Sequence, residues 1–203
     1  FINVNPVKAF KKKKNQEKKR KPIPEALRKE IENYLTATDK AFLTIVQLMY
    51  YQLVRRTELT LLKVSDFNLD KGYITIRADI SKNKRLQYVT ILNSFKPIIQ
   101  KHLKGAKKEH YAFSANLMKT GEERLPPNKI SKRWERLRKD LNFESMYQLY
   151  GLKDAGIEDM LKAGIPSIRV RDHARHSELA TTEKYTQRNN SVDLNEYTQN
   201  FKF

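Results

Sequence analysis

Cysteine is absent from this chain of 203 residues, histidine occurs four times, glycine six times and tryptophan once. Without cysteine there is no disulfide and no thiolate metal site, and the composition fits a reducing compartment. The histidines do not stand in a metal-binding spacing, so neither a metal nor any other cofactor is expected. No apolar run approaches the roughly 20 residues of a membrane span. The opening Phe1-Ile2-Asn3-Val4-Asn5-Pro6, followed by lysines, is not built like a secretory signal. Negative charge is scarce as well: 23 Asp and Glu face 41 Lys and Arg, a formal net charge of +18. Such a chain is repelled by itself and drawn to polyanions, with nucleic acid the first candidate. A ribosomal or merely solubilising basic surface is the plainer alternative, and an anionic membrane fits less well. There is no glycine-rich phosphate loop, no Ser-His-Asp arrangement and no internal repeat.

The distribution of the charge suggests an organisation. Lys8 to Lys21 is lysine-rich and nearly free of apolar residues, with Lys11, Lys12, Lys13 and Lys14 at its centre. It reads as a solvated linker able to lie along phosphates. The first residue is not methionine, and residues 1–21 are expected to join a preceding DNA-binding domain to a catalytic domain over 22–190. Residues 191–203 form a short tail, with Val192, Leu194, Tyr197 and Phe201 at helical spacing, expected to pack on its own domain or on a neighbouring protomer.

Between these ends the periodicity is mostly helical. Leu27, Ile31, Tyr34 and Leu35 mark a first helix after Pro24. Phe42, Ile45, Val46, Met49, Tyr50 and Leu53 mark a second, beginning near Thr38-Asp39, and Arg55 is expected where it ends. Thr57 is expected to cap a short third helix. Tyr73–Ile76 and Gln87–Ile91 alternate like strands around the polar turn Ser81-Lys82-Asn83-Lys84-Arg85, a hairpin that presents cations to a groove or is simply a soluble turn. Asn93 or Ser94 is expected to cap a helix through Leu103, Pro126-Pro127 to open a basic helix around the core anchor Trp134, and Tyr147 to Lys162 to be helical. Ser167 caps Ile168 to Ala174, and Ser177 or Glu178 opens a helix bearing Tyr185. The fold class expected is mainly α (α+β), with a small antiparallel sheet.

Chemistry enters with the order Arg55, Lys82, His176, Tyr185. His176 precedes Tyr185 by about two and a half helical turns. A phenol, with a usual pKa of about 10, attacks a phosphodiester only where cations stabilise the phosphoryl oxygens. Each residue also has a plainer reading: Tyr185 as core, His176 as a helix cap, Arg55 as a structural partner of Glu58.

Three segments together resemble the catalytic domain of the tyrosine recombinases, the phage-integrase superfamily. Leu53-Val54-Arg55-Arg56-Thr57-Glu58-Leu59 is similar to the first arginine box, Ser81-Lys82-Asn83-Lys84-Arg85 to the lysine hairpin, and Ala174-Arg175-His176-Ser177 through Thr181-Thr182-Glu183-Lys184-Tyr185 to the nucleophile box. The remaining box, usually His-x-x-Arg followed by His, reads Tyr150-Gly151-Leu152-Lys153-Asp154 here, a form that resembles integrases of Bacteroidetes mobile elements. Lysine in place of arginine exchanges a planar fork for a point charge.

The resemblance implies site-specific DNA recombination: Tyr185 forms a 3′-phosphotyrosyl bond, Arg55 and Lys153 neutralise the non-bridging oxygens, His176 donates to one of them, and Lys82 protonates the 5′ oxygen. Lys84 aligns less well for that role. Glu58 and Tyr150 would stand behind these residues and orient them. Lys11 to Lys14, Lys84, Arg85 and Arg175 would contact DNA. The implied partner is double-stranded DNA, with no membrane, and the implied assembly is a homotetramer on paired sites, monomeric as this piece alone. The location implied is the bacterial cytoplasm. A DNA-binding protein of the same fold that has lost catalysis, and a type IB topoisomerase, are the competing readings.

Overall fold

In the computed structural model, residues 20–185 are described. Eight α-helices and a three-stranded antiparallel sheet make up these residues, in agreement with the mainly helical expectation. The basic run up to residue 19 and the segment 186–203, including Lys11 to Lys14 and the tail, lie outside them. Among the described residues no helix is long and apolar enough to cross a membrane.

The first helix, α1 (Glu25–Thr38), buries Ile31 and Leu35. Asp39 then caps α2 (Lys40–Tyr51), accepting the Phe42 N–H at 3.0 Å, as a short acceptor at an N-cap should. The central α2 buries Phe42, Ile45, Val46, Leu48 and Met49 and packs on α1, α4 and α6. It stops before Leu53. That residue adopts φ 52°, the left-handed region that ends helices, and its side chain turns into a second, smaller core with Ile157, Val170 and Ala174. The apolar stripe therefore predicted burial of Leu53 correctly and its helical state incorrectly.

After α2, α3 (Arg56–Leu59) begins at Arg55 as N-cap rather than at Thr57, and a 3-10 turn over Val64–Asp66 leads into the sheet. Strand β1 (Phe67–Asn68), which composition did not reveal, pairs with β2 (Tyr73–Ile76), and β2 pairs with β3 (Gln87–Thr90). Ile74 stands opposite Val89 and both are buried, whereas Tyr73 and Tyr88 stack edge-to-face at 5.0 Å on the other face. The hairpin tip is Lys82 to Arg85, and its residues are exposed.

Helix α4 (Lys96–Leu103) is preceded by Phe95, not capped by Asn93 or Ser94, with Pro97 in its first turn. Helix α5 (Pro127–Asp140) buries Ile130, Trp134 and Leu137, and the Trp134 indole donates to the Tyr147 carbonyl at 3.0 Å. Helix α6 starts at Gly151 and runs to Lys162, shorter than the periodicity suggested. Its first two turns, Gly151 to Ile157, are wholly buried. Gly156 makes that possible: a Cβ there would land on the Tyr50 carbonyl and 2.8 Å from a Leu53 methyl, so α6 and the end of α2 touch backbone to backbone. Helices α7 (Ser167–Ala174) and α8 (Leu179–Glu183) follow, preceded by Pro166 and Glu178. Tyr185 lies two residues beyond α8, half-buried against the Leu53–Ile157–Val170–Ala174 core.

Candidate active site

Four segments meet where α2 ends: the α2–α3 junction, the start of α6, the α7–α8 connection and the hairpin tip. They line one open cleft of about 850 Å³, to which Arg55, Lys82, Tyr150, His176 and Tyr185 all contribute. Lys84 and Arg85 are exposed on the same hairpin but do not line the cleft, which separates Lys82 from its neighbour.

Arg55 is fixed twice by one carboxylate. Glu58, fully buried, pairs with the Arg55 guanidinium at 2.8 Å and also accepts the Arg55 backbone N–H at 3.0 Å. The oxygen that accepts this N–H, Oε2, also pairs with Arg175 at 2.9 Å, while Oε1 takes the Arg55 guanidinium. Burial alone would raise the Glu58 pKa, but the Arg175 and Arg55 guanidiniums outweigh it and hold the carboxyl below its usual range. Arg55 Nη2 further donates to the Arg175 carbonyl at 3.1 Å, so the two arginines are locked together.

Lys153 does not reach into the open cleft as a free ammonium. It is 1 % exposed, and its Nζ donates to the carbonyls of Leu53 and Ala174, each at 2.9 Å. Burial, reinforced by Arg175 and Arg55, pushes its pKa well below the usual lysine value. Arg175, expected to contact DNA, is 3 % exposed, its guanidinium held by Glu58 and the Leu53 carbonyl. At φ 56° it occupies the left-handed position that closes α7.

His176 follows directly, its Nδ1 tied to Thr182 Oγ1 at 2.9 Å. Burial, together with Lys153 and Arg55, lowers its pKa to about 4, so the ring is neutral at pH 7. Tyr185 donates its hydroxyl proton to Asp154 Oδ1 at 2.7 Å. Burial and that hydrogen bond push the phenol pKa upward. Asp154 in turn receives Arg20, whose Nε lies 2.5 Å from Oδ2 and whose guanidinium stacks 4.6 Å from the centroid of the Tyr150 ring. Burial raises the Tyr150 pKa.

Two participants escaped sequence reasoning. Arg20 was read as part of a solvated basic run, yet its ion pair and the Lys21 N–H donated to the Met146 carbonyl at 3.2 Å bring folded contacts to residue 20. Thr182 sits in the Thr-Thr pair before the tyrosine, and its bond to His176 comes from the turn between α7 and α8 rather than from a helical spacing. Asp154 was visible as a negative charge near the site, but its bond to Tyr185 was not.

The phage integrase family model matches residues 22–191. The chain belongs to the phage integrase family. No curated protein matches it significantly by sequence. Among solved structures, XerA recombinase is 21% identical with a TM-score of 0.68, covering 90% of this chain and 66% of its own. The Tn1549 transposon integrase in complex with circular intermediate DNA is 11% identical, TM-score 0.71, with coverage of 91% and 67%. A lambda integrase dimer bound to a core site is 17% identical, TM-score 0.72, covering 95% of this chain and 55% of that one. At these identities the shared property is the fold. This integrase-family chain spans about two thirds or less of the length of XerA and lambda integrase.

Proposed function

We propose that this chain is the catalytic domain of a site-specific DNA recombinase working through a covalent 3′-phosphotyrosine. The observation that carries the reading is the convergence of Arg55, Lys82, His176 and Tyr185 on one cleft from separate parts of the sequence. Tyr185 Oη attacks the scissile phosphorus, the bond to the 5′ oxygen breaks, and the phosphate stays on the tyrosine. The phenol proton passes to Asp154, the acceptor it already faces. Lys82, on the exposed hairpin, gives a proton to the departing 5′ oxygen. Arg55 pairs with a non-bridging oxygen and neutral His176 donates a hydrogen bond to one. Lys153, Glu58 and Tyr150 support these groups from behind. Rejoining to a partner strand runs the same steps backward, so the energy of the broken ester is conserved.

Double-stranded DNA is the proposed partner, in line with the net charge and with the DNA in the solved relatives named above. The basic run over residues 1–21, a linker in this reading, adds phosphate contacts through Lys11 to Lys14, and Lys84 and Arg85 add them from the hairpin. Exchange between two sites calls for a homotetramer, and residues 191–203 are the proposed link between protomers. The location is the bacterial cytoplasm, on DNA.

The competing reading, a binding protein without chemistry, is favoured by Lys153, whose amine is already committed to two carbonyls. The test is incubation with a pool of nicked duplexes carrying randomised cores, followed by denaturing gels. Recombinase chemistry predicts a protein–DNA adduct that vanishes in Tyr185→Phe. Binding with no adduct at any core sequence supports the competing reading, and relaxation of supercoiled plasmid without strand exchange supports a topoisomerase.

A further inference from the structure

Arg175 carries two structural costs at one position. Its guanidinium is buried, yet only Nη2 is partnered, by Glu58 at 2.9 Å and the Leu53 carbonyl at 3.1 Å. Nε and Nη1 are buried with no hydrogen-bond partner. Buried donors left unsatisfied are costly, more so on a charged group. The backbone adds to this: φ 56° and ψ 45° at the end of α7 is a conformation where glycine is preferred and a side chain is strained. A glycine would remove both penalties, but it would also remove the pair with Glu58.

The surroundings indicate what offsets them. Arg175 lines the same cleft as Arg55, His176 and Tyr185. Glu58 bridges it to Arg55, which makes the two guanidiniums a rigid pair in the cleft that Tyr185 also lines. Three guanidiniums, of Arg20, Arg55 and Arg175, meet two carboxylates, Glu58 and Asp154, so the cluster has a surplus of positive charge without counting Lys153. A phosphodiester has two non-bridging oxygens, and attack by a phenol adds charge to them. Lys153 is poorly placed to take the second oxygen. Its Nζ holds the Leu53 carbonyl, the same oxygen that accepts from Arg175, and the Ala174 carbonyl immediately before it.

We propose that Arg175 is the second guanidinium that contacts the scissile phosphate, and that Lys153 is a positioning residue that holds the Leu53 and Ala174 carbonyls and thereby aims Arg175. The inference rests on the phosphotyrosine reading and goes beyond it by reassigning which side chain meets the second oxygen. The buried nitrogens become satisfied when the phosphate arrives; Nε and Nη1 are where the second oxygen binds.

The experiment uses nicked duplexes recovered by the covalent selection above, made with either the normal phosphodiester or a methylphosphonate at the scissile position, which lacks one charged oxygen. Arg175→Gly suits the left-handed backbone but takes one partner from the buried Glu58 carboxylate, so its melting temperature is measured first and adduct formation is compared well below it. It should form the adduct about 10²–10³ times more slowly on the phosphodiester, and the deficit should shrink to about tenfold or less on the methylphosphonate. Arg175→Lys, which keeps the charge but not the fork, should fall between the two on the phosphodiester. Arg175→Gly cleaving within about threefold of the unaltered protein overturns the proposal. An equal loss on both substrates also overturns it, because a purely structural role does not distinguish them. If Arg175→Gly fails to fold, Arg175→Lys is read on the same two substrates by the same criterion. If the unaltered chain forms no adduct at all, the phosphotyrosine reading fails first and takes this inference with it.

Discussion

Replacing Glu58 by glutamine tests whether one buried carboxylate organises the site. Glutamine keeps the shape but removes the charge that faces Arg55 at 2.8 Å and Arg175 at 2.9 Å, and Glu58 has no exposure to water that would soften the loss. Its carbonyl can still accept the Arg55 N–H, so the start of α3 survives; its amide group must point at a guanidinium, donor to donor. Breaking a buried pair by removing one partner costs about 3–5 kcal/mol, because the other charge stays buried. For a domain of this size each kcal/mol shifts the melting temperature by about 2–4 °C, which puts the expected drop at roughly 6–20 °C. The assay is thermal unfolding by circular dichroism at pH 7.5 and low salt. Glu25→Gln is the control: its pair with Lys29 at 2.7 Å is exposed on both sides, so its midpoint should not move. A Glu58→Gln midpoint within about 1 °C of the unaltered protein would refute the claim that these two arginines depend on a shared anion.

Other outcomes follow from the same contacts. Asp154→Asn removes the negative charge facing the phenol and weakens the hydrogen bond that, after burial, does most to raise the Tyr185 pKa; ultraviolet titration compared with Asp154→Asn, Tyr185→Phe should place the phenol's ionisation lower than in the unaltered chain, and an unchanged midpoint contradicts the contact. Gly156→Ala should destabilise by about 1–3 kcal/mol in urea despite alanine's better helix propensity, since its methyl meets the Tyr50 carbonyl; a stabilised variant would mean that α2 and α6 are not in close backbone contact. Burial lowers the pKa of His102, His173 and His176, the last to about 4. The unfolded chain therefore takes up protons first as pH falls below about 6.5, and stability present at pH 7.5 should decline between about pH 6.5 and 4. His176→Asn should flatten that decline, and an equal urea midpoint at pH 7.5 and 5 would contradict it. With Lys82→Ala, a 5′-thiol leaving group, which needs little protonation, should restore cleavage lost on the normal ester; failure to do so removes Lys82 from the proton-donor role.

Local patterns carried much of the fold. The stripe from Phe42 to Met49 is helical because each apolar residue meets the core once per turn, and Tyr73–Ile76 with Gln87–Thr90 is a hairpin because one β-branched face is buried. Helix ends were less legible. Whether Leu53 continues α2 or turns left-handed is decided by the cavity that Ile157, Val170 and Ala174 offer it, all more than 100 residues away in sequence. The candidate site followed the same division. Arg55 with Glu58 was readable because the pair is local. The inward turn of Lys153 and Arg175 was not, since it depends on carbonyls freed where α2 and α7 end. Side-chain type marked Arg175 as a DNA contact; its burial beside Glu58 was not readable from it.

The claim on which all of this rests is that the phenol of Tyr185 becomes joined to a DNA phosphate. Trapping the adduct on a nicked duplex, digesting it and sequencing the nucleotide-bearing peptide by mass spectrometry tests it most directly. The account predicts a single modified residue, Tyr185, linked to a 3′ phosphate; a link to any other side chain, or to a 5′ phosphate, would contradict it.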